Sequence, residues 1–271
     1  MYRNLNILEE KEFEFFRIPF KSGRQTLSNL KKGLYFGMFL QAFLSLVFYY
    51  VLTESSKPLG LYIYIIIISS FIISVLLIAL SIIFAFPVVY QKRQALQYLV
   101  VSLVLFNVFG LSMYSIAIYL MYLEIDETST TFSIFLVVSI IIYIVFATTV
   151  LFRIVRSLMK GDYRESSLKH NHEKALKADK KRLRFNEYLI ALIGAVFVIQ
   201  FVLNNILITE VRIILLILLM FLLSYIGIYM FAHSLITYYC KKRFASFNFD
   251  EDGNLYPLGS GDRVRNKEEL A

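Results

Sequence analysis

The chain has 271 residues and a net charge of +8, and it is 58% hydrophobic with only 18% charged residues, where a soluble domain carries about a quarter. The deficit is concentrated in six charge-free runs, Gly33–Thr53, Pro58–Gln91, Gln94–Leu123, Thr128–Phe152, Tyr188–Thr209 and Ile213–Cys240, of 21, 34, 30, 25, 22 and 28 residues. Core helices of soluble domains keep a polar stripe and these runs keep none, which excludes an ordinary soluble domain.

Each run meets the roughly 20 apolar residues needed to cross a hydrocarbon core about 30 Å thick. The expected fold is all-α: a polytopic membrane protein of six transmembrane helices, with spans at about 33–53, 59–90, 98–122, 131–152, 188–208 and 213–239. The connectors alternate in charge. The N-terminal segment, the Lys92–Arg93 turn, the loop 153–187 and the tail 241–271 hold 26 of the 28 Lys and Arg, and the other three connectors hold only Lys57 and Arg212. By the positive-inside rule both termini lie in the cytoplasm and the spans form three hairpins in the plasma membrane. The basic excess is thereby accounted for by topology and by anionic lipid headgroups, so nucleic acid is not an expected partner.

Residues 1–32 mix Phe13, Phe15, Phe16 and Phe20 with Arg17, Lys21 and Arg24, and Pro19 interrupts them. Two readings fit: a segment lying at the inner headgroup surface, and a partly disordered tail. In the first span Gly33, Gly37, Gln41 and Ser45 recur every four residues on one helix face, and Gly33–Gly37 is a GxxxG of the kind that lets helices approach closely. The second run is longer than a hydrocarbon core needs, so it is expected to tilt, kink or project, and Pro87 marks the expected place for a kink. The third span carries Asn107 and Gly110. The fourth is expected to run on as a helix to Leu158, with Gly161 as its stop.

The loop 153–187 holds eleven Lys and Arg against five acids. A helix is expected over Ser167–Arg184, lying near the inner leaflet, with Lys180, Lys181, Arg182 and Arg184 as candidates for lipid headgroups. The fifth span carries Gln200, Asn204 and Asn205. Beyond the sixth, Asp250–Asn254 reads as a turn and the last ten residues as disordered. Trp is absent, and Tyr takes the interfacial positions.

The first helix of each hairpin thus carries a side-chain amide near mid-depth: Gln41, Asn107 and Gln200. These amides, with Gly33, Gly37, Gly110 and Asn204, are the candidates for helix packing or for lining a pore. The odd-numbered spans are expected to face one another, and the even-numbered ones to be more lipid-exposed.

No Asp, Glu, Lys or Arg lies within a span, which argues against ion-coupled transport and voltage sensing. No Walker sequence and no Gly-x-Ser-x-Gly is present, and no catalytic residue is assigned. His170 and His172 are two apart on a helix and face different ways, so neither a metal site nor a cofactor is expected. Cys240 is the only cysteine and forms no intrachain disulfide. The expected function is therefore non-enzymatic: contacts with another membrane protein, as an accessory subunit of a membrane complex or as an immunity-type protein. The alternative is a permease or channel subunit for a neutral or lipidic substrate, with the amides along its route.

Overall fold

The computed structural model describes residues 8–55, 58–125, 130–164 and 209–259, together with Leu176. The described residues are helical apart from turns and one antiparallel bridge, Phe249 with Leu255. Five helices are long and apolar enough to cross a membrane: Leu27–Glu54, Leu61–Ala85, Gln94–Glu124, Thr130–Met159 and Ile213–Arg243. They are called here the first, second, third, fourth and last spans. The expected span 188–208 and, apart from Leu176, the expected loop helix Ser167–Arg184 lie outside the described residues.

The first span starts where its backbone donors find a cap. Thr26 is extended, and its hydroxyl accepts from the Asn29 amide at 3.3 Å. Its buried face, Leu30, Leu34, Gly37, Gln41, Leu44, Ser45, Phe48 and Val51, repeats at helical spacing. The second span buries Ile63, Ile67, Ser70, Ser74, Leu77, Ser81 and Ala85. It ends rather than kinks at the proline. Phe86 is extended because the Pro87 ring clashes with a helical residue before it, and Pro87 then opens a short separate helix, Pro87–Lys92. The crossing helix is therefore 25 residues, about 38 Å at 1.5 Å per residue, which resolves the excess length of that run.

The third span is the most deeply buried of the five, in contact with the first, second and last. It contains a π-helical segment, Asn107–Ser112. The fourth span turns a broad face of Ile, Val and Phe outward and closes in a left-handed cap. Gly161 has φ +77°, its amide donates to the Leu158 carbonyl at 2.9 Å, and the Asp162 amide reaches back to Ser157 at 3.1 Å. The last span runs antiparallel to the third. Phe231 stacks on Phe106 with centroids 4.3 Å apart, and Phe221 meets Tyr114 edge-on at 5.8 Å. Met159 and Arg243 consequently lie at the end of the bundle that holds the N-terminal segment and the Lys92–Arg93 turn. Thr209 starts from the far end.

Candidate functional site

Two polar constellations stand out, one at mid-depth and one at the basic end. The mid-depth one follows from the direction of the helices. The first and third spans are parallel, and Gly37 packs on Val104: a Cβ at position 37 would sit 2.5 Å from Val104 Cγ1. One turn further along, Gln41 and Asn107 come face to face, 0% and 1% exposed. The Asn107 amide donates to Gln41 Oε1 at 2.8 Å and to Ser74 Oγ of the second span at 3.0 Å. Gln41 Nε2 donates to the Val104 carbonyl at 3.3 Å. Three helices are thus tied by amide and hydroxyl groups that hydrocarbon cannot satisfy. A turn further out, the Ser70 and Ser115 hydroxyls pair at 2.7 Å.

The expected residues do not all meet. Gly33 has nothing within 4 Å of where its Cβ would be, so the GxxxG pair is in contact only at Gly37. Gly110 lies against its own Phe106 ring, and its carbonyl accepts from Ser224 Oγ at 2.9 Å. The tight approach there belongs to Gly227, where a Cβ would be 2.6 Å from Gly110 N and 2.9 Å from Gly110 Cα. Gln200, Asn204, Lys180, Lys181, Arg182 and Arg184 lie outside the described residues. The expectation that the even-numbered spans are the more lipid-exposed fits the fourth and the last, whereas the second is buried as much as the first and lends Ser74 to the node. Ser74 joins the node because a serine is small enough for the first and third spans to close over it. The serine spacing 70, 74 and 81 was the signal available in the sequence.

The second constellation joins segments more than 200 residues apart. A 3-10 helix, Glu10–Arg17, leads into a single turn, Ile18–Lys21, with Pro19 in its first turn. The described part of this segment is not a loose tail: Phe13, Phe16 and Phe20 are buried against the rest of the protein. They are covered by Tyr163, Phe244, Phe247 and Phe249, ring against ring. Arg17 donates to the Ser246 carbonyl at 3.1 Å and to the Tyr256 carbonyl at 2.7 Å. Burial pulls its guanidinium below the usual range, and Glu10 and Glu14 push the other way. Arg164 pairs with both oxygens of Glu12. Glu10 accepts from Ser246 Oγ and from the Gly259 amide. Gln94, at the start of the third span, exchanges two hydrogen bonds with the Phe249 backbone, at 2.7 and 2.9 Å. Lys241 is buried, donates to the Phe247 carbonyl at 2.7 Å, and lies 4.5 Å from the Phe20 ring centre. The expected turn at Asp250–Asn254 is present: Gly253 has φ +83°, and Asp250 accepts from Asn254 N at 2.7 Å.

Among the described residues no group of three or more His, Cys, Asp or Glu is placed to hold a metal ion. Compared with family models, with curated proteins and with solved structures, the chain matches none.

Proposed function

We propose that this is a six-crossing integral protein of the plasma membrane, with both termini cytoplasmic, that acts by protein contacts within the bilayer. It would serve as an accessory subunit of a membrane complex or as an immunity-type protein, without catalytic chemistry of its own. Membrane residence rests on the five apolar helices. A further crossing is supported by the ends of the described helices, since the fourth span finishes at the basic end and the last begins at the far end. The cytoplasmic placement of the basic end rests on the distribution of Lys and Arg. Lys180, Lys181, Arg182 and Arg184 would meet anionic headgroups there.

The observation that carries the contact reading is the amide node. Asn107, Gln41 and Ser74 are engaged with one another, so the polar groups at mid-depth hold helices together. Affinity purification in mild detergent tests it: a stoichiometric membrane partner is expected. Purification as a lone species that passes a neutral or lipidic solute across liposomes would overturn the contact reading in favour of a permease or channel subunit. Topology has its own test. Cysteines introduced at Ser56, Thr128 and Thr209 should react with an impermeant thiol reagent in intact cells, and those at His172 and Ser260 should not. Labelling at position 172 in sealed cells contradicts the orientation.

A further inference from the structure

The buried serines of the described spans fall into three groups, of which the first, Ser74 and Ser224, bonds to a neighbouring span. Ser70, Ser102, Ser115 and Ser139 donate to a carbonyl three or four residues back in their own helix, the usual resolution for a serine in an apolar helix. Ser45, Ser81 and Ser112 are equally buried and make no hydrogen bond among the described residues. The same holds for two amide oxygens, Asn107 Oδ1 and Gln97 Oε1, on side chains 1% and 0% exposed. A buried group left in this state carries its full desolvation penalty, and hydrocarbon offers no substitute partner.

These five groups occupy one interface and sort into two depths. At the inner level Gln97 Nε2 donates to the Phe84 carbonyl, at 3.4 Å, which sets its oxygen beside the second span. Ser81 is buried one turn from Phe84 and two helical turns from Ser74, whose hydroxyl meets the third span, so it shares that face. At the middle level Asn107 gives both of its amide hydrogens to Gln41 and Ser74, leaving its oxygen for something else. Ser45 lies one turn beyond Gln41, and Ser112 one π-turn beyond Asn107. The first and third spans are parallel, so these two hydroxyls share a depth. Each level offers a carbonyl-type acceptor together with hydroxyls that both donate and accept, and no charge. The guest such a set satisfies is small, neutral and able to donate and accept at once. An internal water needs two to four polar partners, which each level supplies.

We propose that the interface of the first three spans holds two fixed internal water sites. One is bound by Gln97 Oε1 and Ser81 Oγ, and the other by Asn107 Oδ1 with Ser45 and Ser112. They are discrete bridges closed off from one another and from bulk solvent. This is independent of whether the protein works by contacts or by permeation.

The test is water-edited solid-state NMR on the full chain in liposomes, reading the side-chain amides of Gln97 and Asn107 against that of exposed Asn254. Magnetisation from water should reach both buried amides, with a build-up several-fold slower than at Asn254. Ser81→Ala should abolish the transfer at Gln97 and leave Asn107 unchanged. The pair Ser45→Ala and Ser112→Ala should do the reverse. Serine to alanine is benign to a helix, and an unchanged Gln41–Asn107 cross-peak verifies the fold of each variant. No transfer at either amide, transfer as fast as at Asn254, or transfer indifferent to the serines each overturns the proposal.

Discussion

A methyl group added at Gly227 would press on the backbone of Phe109 and Gly110, where no side chain can rotate aside. Gly227→Ala should therefore lower stability by about 1–3 kcal/mol or more, as overpacking does. Gly33→Ala meets open space inside a helix and should raise the midpoint of thermal unfolding in detergent slightly. Asn107→Leu is the milder test of the node. Interhelical polar bonds in membranes average about 0.6 kcal/mol, so it should lower the midpoint by a few degrees without unfolding the protein. An amide is conspicuous in an apolar run, which is why Gln41 and Asn107 could be singled out from sequence. Serines are not conspicuous, because each can satisfy itself on its own helix. Gly227 has no patterned neighbour to draw attention to it, and its partner is the third span's backbone, which leaves no trace in residue type.

The extent of each helix was legible wherever a local rule decides it. Gly161 ends the fourth span because only a glycine takes the left-handed conformation there without cost. Pro87 marked the inner limit of the second span, but a proline does not announce whether a helix bends or stops. Pro87→Ala removes the clash that holds Phe86 extended. The second span should then run on through Gln91, and the distance between spin labels at Ile78 and Gln91 should grow toward about 20 Å, the length of thirteen helical residues. A distance unchanged by the substitution would mean that tertiary contacts hold the break. The π segment at Asn107–Ser112 was illegible. The extra residue in its turn changes neither composition nor periodicity over so short a stretch.

At the scale of the molecule, the class of fold followed from charge-free run lengths, because hydrocarbon thickness sets helix length almost alone. The terminal clasp did not follow. Phenylalanines interleaved with Arg and Lys look the same whether they meet headgroups or other rings, and here the other rings are about 230 residues away. The clasp makes two predictions. Arg17→Gln strips the Ser246 and Tyr256 carbonyls of their donors, so limited trypsin digestion after Lys242 and Arg243 should become faster while the spans stay protected. The second concerns alkaline pH. Burial pushes the Tyr163 hydroxyl up to about 12 from its ordinary 10. Between those values the folded state keeps a proton that the unfolded state has released, so stability present below pH 10 falls as pH rises toward 12. Tyr163→Phe should flatten that part of the profile in an alkaline unfolding titration.

The clasp also imposes an order on biosynthesis. Phe13 and Phe20 are translated early, yet their covers at Phe244, Phe247 and Phe249 and the carbonyl acceptors of Arg17 at Ser246 and Tyr256 are translated more than 200 residues later. Until then Phe20 lacks the rings of Phe247 and Phe249, and Arg17 lacks both of its acceptors. A chain cut after Arg243 keeps every described span and loses those contacts, so the closing of the basic end is a task of residues beyond the last span and not of the bundle.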